Sequence, residues 1–214
     1  MIKTKKRGLF LTMEGADGAG KSTQMANVQA YFQQRQMEAL FTREPGGTPI
    51  GEKIRAIILD RENGDMTDLC EAMLYAASRA QHVEQVILPA LEAGRIVVCD
   101  RYVDSSIAYQ GYGRRLGDKV AAINHHATLG VMPDATIFLD LDPEEGRHRI
   151  DDDKNLTPDR LETEKEAFRK RVYRGYQKIM EEEGGRFLRI DGSGSPEEVR
   201  DLIYAQLDRL FQKE

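Results

Sequence analysis

Residues 15–22 have the sequence Gly15-Ala16-Asp17-Gly18-Ala19-Gly20-Lys21-Ser22, and Thr23 follows. This stretch matches the pattern G-x-x-x-x-G-K-[ST], whose glycines let the backbone turn its N–H groups toward phosphate oxygens. The lysine of the pattern reaches the β- and γ-phosphates of a nucleoside triphosphate, and the hydroxyl after it binds Mg²⁺. An apolar stretch precedes the motif and a helical pattern follows it, as the motif requires. We therefore predict that residues 15–23 bind ATP, that Lys21 is catalytic and that Ser22 is a magnesium ligand.

The rest of the chain alternates apolar strand patterns with helix patterns. The strand patterns cover residues 8–13, 39–42, 96–99, 135–141 and 186–190. The helix patterns cover residues 21–36, 50–60, 67–93, 118–129, 143–150, 161–183 and 196–211. Short apolar strands that alternate with helices form a parallel sheet covered on both faces. We therefore predict one α/β domain over residues 1–214, of the P-loop NTPase type, with a doubly wound five-stranded parallel sheet flanked by helices.

The composition excludes several classes of protein. The net charge is −5, from 31 basic and 36 acidic residues, whereas proteins with a broad nucleic-acid groove usually carry a basic excess. No stretch approaches the roughly 20 apolar residues needed to span a bilayer. The two cysteines, Cys70 and Cys99, cannot form a disulfide framework, and we expect both to be buried thiols. These features predict a cytoplasmic protein without nucleic-acid or membrane partners.

Three charged groups follow predicted strands, at the edge where parallel sheets bind ligands. They are the glycine-rich loop, the turn at residues 43–45 and the pair at residues 100 and 101. Asp100 ends a buried strand, so we expect its carboxylate to hold Mg²⁺ through water. A guanidinium group matches phosphate geometry, and four arginines near this edge could bind a second phosphate: Arg43, Arg55, Arg79 and Arg101. A buried ion pair without a catalytic role is the alternative for residues 100 and 101.

Six motifs follow one another along nearly the whole chain. They lie at residues 14–22 (EGADGAGKS), 42–48 (TREPGGT), 74–82 (LYAASRAQH), 100–106 (DRYVDSS), 108–111 (AYQG) and 159–162 (DRLE). In this order they resemble the motifs of the bacterial thymidylate kinase family, whose members are nucleoside monophosphate kinases. The resemblance implies transfer of a phosphoryl group from ATP, with Mg²⁺, to thymidine monophosphate (dTMP). It also implies a homodimer.

The resemblance also implies a role for several side chains around the thymidine. Tyr75 would stack on thymine, and Arg79 would donate to the thymine O4. Ser106 and Gln110 would meet the N3 side of the base, and Tyr109 would lie against the 2′ carbon of the sugar. These roles follow from the family motifs, since the two tyrosines alone would be ordinary core residues.

Around the phosphates, the resemblance implies that three of the arginines hold the acceptor: Arg43, Arg55 and Arg101. Arg101 would also face the transferred phosphoryl group, and Glu44 would lie beside Mg²⁺ or water. Asp17 would contact the 3′-hydroxyl or nearby phosphate ligands, because a carboxylate that faced the triphosphate would be repelled.

The sequence departs from the family pattern at two places. In this family a catalytic arginine comes from the phosphate loop or from a mobile lid, and the loop has Gly18 where an arginine would stand. The lid, at about residues 147–160, would therefore supply it, and we expect Arg149 and Arg160 to act there, with Lys154 behind them. Ser78 stands where an acidic residue is common, which changes a part of the network beside the base.

Two other functions stay open at this point. The chain could be a kinase for another nucleoside monophosphate or for a deoxynucleoside. It could also be a P-loop switch that binds nucleotide and signals to a partner, although it has no N-K-x-D motif of the kind that GTPases use.

Overall fold

The computed structural model describes residues 7–152, 160–161 and 164–212. Five strands form one sheet, and the ladders between neighbours are all parallel. The strands are β1 (Phe10–Gly15), β2 (Ala39–Arg43), β3 (Ile96–Asp100), β4 (Ala135–Asp140) and β5 (Phe187–Asp191). Their order in the sheet is β2-β3-β1-β4-β5. The prediction of a doubly wound five-stranded parallel sheet is confirmed, and the chain reverses its winding direction beside β1, where such folds bind ligands.

Helices cover the sheet on both faces. In the described part of the chain they are α1 (Lys21–Gln34), α2 (Pro49–Leu59), α3 (Asp68–His82), α4 (Leu88–Glu92), α5 (Val103–Ser106), α6 (Asp118–Ala127), α7 (Pro143–Asp152), α8 (Glu166–Glu183) and α9 (Pro196–Phe211). Side chains on one strand alternate between the faces. Leu11 and Met13 of β1 pack toward one cluster with residues of α1 and α9, whereas Phe10 packs on the other face with residues of α4. No helix of the described residues is long and apolar enough to cross a membrane.

The predicted helices need correction at three places. No helix is predicted for residues 103–113, but they form α5 and a π-helical segment, Ile107–Gly113. The Glu14 carboxylate accepts hydrogen bonds from the backbone N–H groups of Tyr102 and Ser105 at 2.7 and 3.3 Å, and so caps α5 from a distant part of the chain. The helix expected at 67–93 contains a π turn, Val83–Ile87, just before Pro89. The helix expected from residue 161 begins at Glu166.

One cysteine prediction is also wrong. Cys99 is buried in β3, but Cys70 is exposed near the start of α3. Periodicity along α3 explains the difference, because the buried face of that helix carries Glu71, Ala72, Ala76 and Arg79.

Candidate active site

The phosphate loop joins the end of β1 to the start of α1, so its backbone N–H groups lie at a helix N-terminus. Gly18 has a φ of 79°, which favours glycine, and a Cβ there would lie 2.0 Å from the carbonyl oxygen of Gly146 in α7. The loop therefore touches the helix that carries the first part of the predicted lid. A side chain at residue 18 would collide with α7 in this arrangement.

Lys21 lies inside the loop, and only 8% of it is exposed. Its ammonium group donates to the carbonyl oxygens of Gly15 and Ala16 at 2.9 and 2.8 Å. Burial, and after it the charge of Arg101, lowers the pKa of Lys21 to about 8. The lysine is thus charged near neutral pH and is held at the place where a phosphate chain would follow the loop.

A cleft opens beside this loop and contains most of the predicted donor residues. It is lined by residues 17–24 of the loop and α1, by Arg55, Asp100, Arg101, Arg149 and Ile150, and by residues of the β5–α9 connection and the first turn of α9. In this cleft Asp100 has a buried carboxylate oxygen, Oδ1, that accepts no hydrogen bond from the described residues. Oxygen ligands suit Mg²⁺, so Asp100 and Ser22, which line the same cleft, fit a magnesium ion.

Glu44 fits a magnesium ion less well than Asp100, because both of its carboxylate oxygens have side-chain partners. One of its carboxylate oxygens accepts from Nε of Arg79 at 2.8 Å, and the other lies 2.9 Å from Nδ1 of His82. Glu44 is 4% exposed and directly follows β2, which ends at Arg43. Both oxygens are therefore committed to side chains, and the expectation of a metal ligand is not supported.

A second cleft lies next to the first, with a volume of about 460 Å³, part of it open to solvent. Its lining includes eight residues that the sequence assigned to the acceptor: Asp17, Glu44, Arg55, Tyr75, Arg101, Ser106, Tyr109 and Gln110. The two clefts share Asp17, Arg55 and Arg101. A ligand in one cleft would therefore meet a ligand in the other at these three side chains.

We call the side chains between the two clefts the shared wall. Hydrogen bonds link three residues there: Asp17, Arg101 and Tyr109. Arg101 donates to Oδ1 of Asp17 at 2.5 Å, and the Tyr109 hydroxyl donates to Oδ2 at 2.8 Å. Burial alone would raise the pKa of Asp17, but the charges of Arg101 and Lys21 hold it below its usual range. The Arg101 guanidinium also lies 5.2 Å from the centre of the Tyr109 ring. The cluster fixes an ionised carboxylate and a guanidinium between the clefts.

Two predicted acceptor arginines do not line either cleft. Arg43 is exposed at the end of β2 and pairs with Glu52 at 2.8 Å. Arg79 is 1% exposed and donates to Glu44, Ser106, Asn124 and the carbonyl oxygen of Tyr102. Arg79 therefore lies behind the second cleft, where it supports Glu44 and Ser106 instead of facing the open space.

The two predicted lid arginines lie in different places. Arg149, in α7, lines the first cleft and donates to the carbonyl oxygen of Gly192 at 3.0 Å. Arg160 donates to the carbonyl oxygen of Ile58 at 2.9 Å and to Glu71 at 2.6 Å, and it does not line the first cleft. Its expected place beside the donor phosphates is thus not found. Lys154 and most of the remaining lid residues lie outside the described part of the chain.

Comparisons with known proteins agree with this geometry. A family model described as thymidylate kinase matches residues 13–203. A thymidylate kinase of an Exiguobacterium species is 47% identical over 207 residues, which are 96% of this chain and 97% of the relative. The thymidylate kinase of Lactobacillus delbrueckii subsp. bulgaricus is 54% identical over 87% of this chain and 89% of the relative, and that of Enterococcus faecalis is 48% identical over 92% and 94%. The chain belongs to the thymidylate kinase family.

Within this thymidylate kinase fold, a buried carboxylate that sequence analysis did not assign supports the shared wall. Glu14 is fully buried, and besides capping α5 it accepts from the hydroxyls of Ser105 and Tyr176 at 2.6 and 2.8 Å. Burial, and after it the charge of Asp104, raises the pKa of Glu14 to about 7. Ser105 in turn accepts from Arg101 at 3.2 Å. The signal in the sequence was Glu14 itself, a carboxylate at the end of a buried strand next to the glycine loop.

A second unassigned carboxylate, Glu71, lies beside the second cleft. It is 1% exposed and receives hydrogen bonds from Gln110, Arg114 and Arg160. Glu71 is four residues before Tyr75 and eight before Arg79, so all three share one face of α3. A polar residue at an otherwise inward helical position was the signal that could have identified it.

The pKa of Lys21 determines how we expect kcat/KM for ATP to depend on pH. We expect kcat/KM for ATP to be level below about pH 7, to be about half of that value near pH 8 and to fall further above it, because kcat/KM follows the ionisation of the free enzyme and a neutral lysine no longer attracts phosphate. Steady-state rates from pH 6.5 to 10 would measure the profile. In Lys21→Arg, which stays charged, the decline above pH 8 should disappear. An unchanged decline in that variant would assign it to another group.

Proposed function

We propose that this protein transfers the γ-phosphoryl group of ATP to the 5′-phosphate of dTMP, giving dTDP and ADP. The observation that carries the proposal is the pair of adjacent clefts that share Asp17, Arg55 and Arg101. One cleft contains the phosphate loop and the other contains a tyrosine, an amide and a hydroxyl that suit a nucleoside. Direct transfer between two bound nucleotides needs this arrangement, since the reacting groups must approach within about 3–3.5 Å.

Phosphoryl transfer of this kind needs little covalent chemistry from the protein. An oxygen of the acceptor phosphate is already anionic near pH 7, so no general base is required. Lys21 and Arg101 stabilise negative charge on the transferred group, and Arg55 orients the acceptor phosphate. We assign Arg149 to the donor phosphates from its place in the first cleft. The segment at about residues 147–160 acts as a lid that excludes water.

Mg²⁺ would be held by Ser22 and, through water, by Asp100. When bound, it would neutralise charge on the β- and γ-phosphates. Asp100 suits this role because its buried Oδ1 accepts nothing from the described residues. Asp100 ends β3, one residue before Arg101, so it would hold the ion beside the residues that the two clefts share.

The second cleft offers thymine an aromatic ring and hydrogen-bonding groups. Tyr75 lines it and can stack on the base, while Tyr109 is fixed against Asp17 and can crowd the 2′ position of the sugar. Oε1 of Gln110 is buried in this cleft and accepts no hydrogen bond from the described residues. It is therefore a hydrogen-bond acceptor for a donor such as the N3–H group of thymine. Arg79 serves the site indirectly, through Ser106 and Glu44.

A panel of acceptors tests the proposal. Purified protein with ATP and Mg²⁺ is given dTMP, dUMP, dCMP, dAMP, dGMP or thymidine, and ADP release is measured with a coupled assay. We expect dTMP to give the highest kcat/KM. A higher value for another monophosphate or for thymidine would refute the assignment of the base. ADP release that ignores the acceptor would instead indicate a nucleotide-dependent switch.

We also propose that the protein forms a homodimer through α2 and α3. Four large apolar side chains on these two helices are exposed by 41–53%: Ile50, Ile57, Leu69 and Met73. Leu69 and Met73 are four residues apart and lie on one face of α3, opposite the buried Glu71. A second copy that covered this face would remove the apolar side chains from water.

Met73→Arg is expected to convert the protein to a monomer, because a charged side chain on the proposed interface would lose its solvation on association. Light scattering coupled to size-exclusion chromatography at micromolar concentration measures the mass. Leu202→Arg is a matched control, since Leu202 is 47% exposed on α9, away from α2 and α3. A dimer that persists in Met73→Arg and dissociates in Leu202→Arg would place the interface elsewhere.

We further propose a cytoplasmic location and one domain over residues 1–214. Both cysteines are unpaired, which suits a reducing compartment. The five strands belong to one sheet, which suits one domain.

A further inference from the structure

The buried carboxylate of Glu71 gathers three side chains from separate parts of the fold. It accepts from Nε2 of Gln110 at 2.8 Å, from Arg114 at 3.2 and 3.0 Å, and from Arg160 at 2.6 Å. Gln110 belongs to the π-helical segment beside the second cleft, and Arg160 is the last residue of the predicted lid segment. Burial by itself would raise the pKa of Glu71, but hydrogen bonds and charge from Arg114 lower it, so the carboxylate is ionised. An ionised carboxylate can only accept hydrogen bonds.

This restriction determines how the amide of Gln110 is oriented. Because Glu71 only accepts, the NH₂ group of Gln110 must face it, and Oε1 must point the other way. Gln110 is 1% exposed and lines the second cleft, and its Oε1 has no hydrogen-bond partner among the described residues. Without Glu71 the amide could rotate by half a turn and present its NH₂ group to the ligand. One contact outside the cleft thus decides whether the cleft offers an acceptor or a donor.

The bases differ at the atom that such a group would meet. Thymine and uracil carry a hydrogen on N3 and donate there, whereas the N3 atom of cytosine accepts. We propose that Glu71 is a positioning residue that selects for a pyrimidine with an N3–H group, by holding Oε1 of Gln110 toward the base. The inference rests on the proposed function, because it requires a pyrimidine monophosphate in the second cleft. Glu71 itself does not touch the substrate.

Glu71→Gln tests the inference, because the new amide can donate or accept and no longer fixes Gln110. We expect the ratio of kcat/KM for dTMP to that for dCMP to fall at least about tenfold, since a wrongly paired polar group costs this much or more in discrimination. The loss should come mainly from a higher KM for dTMP, and KM for ATP should change less than about twofold. A variant that was merely less stable would lose activity with both acceptors alike and keep the ratio.

Glu164→Gln is the matched control. Glu164 pairs with the same Arg114, whereas the amide of Gln110 donates to Glu71, so replacing Glu164 weakens the arginine network and should leave the dTMP to dCMP ratio unchanged. A ratio that stays within twofold of the wild type in Glu71→Gln, or that falls equally in Glu164→Gln, would overturn the inference. If thermal melting shows that Glu71→Gln is unfolded, Glu71→Asp replaces it, because its shorter carboxylate withdraws from Gln110 and should also lower the ratio.

The failure of this inference and that of the proposed function are distinguishable. If the wild-type protein prefers an acceptor other than dTMP, the proposed function is wrong. If the wild type prefers dTMP and the Glu71 variant keeps the ratio, only the role of Glu71 is wrong.

Discussion

Replacing Lys21 with alanine is expected to reduce kcat by about a hundredfold to a thousandfold, which is the usual cost of removing one charged donor from a developing anion. The ammonium group lies within the phosphate loop, and burial lowers its pKa only to about 8, so it keeps its charge at neutral pH. In a cleft partly screened from water, this charge acts more strongly on phosphate than it would in bulk solvent. Steady-state kinetics with saturating ATP and dTMP measures the loss.

The fold should survive this replacement. Lys21 makes its two hydrogen bonds to carbonyl oxygens of the loop itself, and neither ties the loop to another helix. Thermal melting should therefore stay close to that of the wild type. Lys53→Ala is the control, because Lys53 is an exposed lysine on α2. Near-normal turnover in Lys21→Ala would contradict the assignment of the loop as the donor site.

The phosphate loop and the sheet could be predicted because their signals are local. Gly15 to Ser22 form a contiguous motif, and each strand is a short apolar run between helices. The strand ends at Arg43 and Asp100 lie beside each other in the structure, since residues 43 and 100 are paired in register. These two charged residues are distant in the chain, but they lie at one edge of the sheet because parallel strands end at the same edge.

The partners of the arginines could not be predicted in the same way. A guanidinium group matches the geometry of carboxylates as well as phosphates, so the sequence cannot say which anion an arginine meets. Arg160 and Arg43, both expected near phosphate, bind Glu71 and Glu52. Arg101 and Arg55 do line the clefts. The difference depends on which carboxylates the fold brings near each arginine, and Glu71 is 89 positions away from Arg160 along the chain.

The supporting carboxylates were missed for a related reason. Glu14 accepts hydrogen bonds from Tyr102, Ser105 and Tyr176, which are 88 to 162 positions away along the chain. No periodic pattern in a single segment records such contacts. A carboxylate within an inward-facing stretch indicates only that donors must exist somewhere, because a buried charge without them is costly.

Arg101→Ala should have the other large effect, a loss of about a thousandfold in kcat, at the low end of what a transition-state arginine contributes in phosphoryl transfer. Arg101 lines both clefts, and it donates to Asp17, to the carbonyl oxygen of Gly15 and to Ser105. Its loss removes positive charge from the place where the two nucleotides meet. It also leaves the partly buried carboxylate of Asp17 without its ion pair to Arg101, so KM for dTMP should rise as well.

The control must account for the backbone, because Arg101 has a φ of 64°, in the left-handed region that non-glycine residues rarely adopt. Arg115→Ala is well matched, since Arg115 is an exposed arginine with a φ of 61°. Its replacement changes the same side chain on the same kind of backbone, outside both clefts, and should leave kcat within about twofold of the wild type. Equal losses in the two variants would show that the backbone, and not the charge on the shared wall, is responsible.

Arg101→Lys separates charge from geometry. A lysine keeps the positive charge but is a point charge on a flexible stem and lacks the planar fork that reaches several acceptors at once. We expect it to recover part of kcat and to leave KM for dTMP raised, because Asp17 and Tyr109 would no longer be held in place. If Arg101→Lys restored both parameters, charge alone would suffice. A loss as large as that of Arg101→Ala would instead mean that phosphoryl transfer requires the hydrogen bonds that Arg101 donates to Asp17, Gly15 and Ser105.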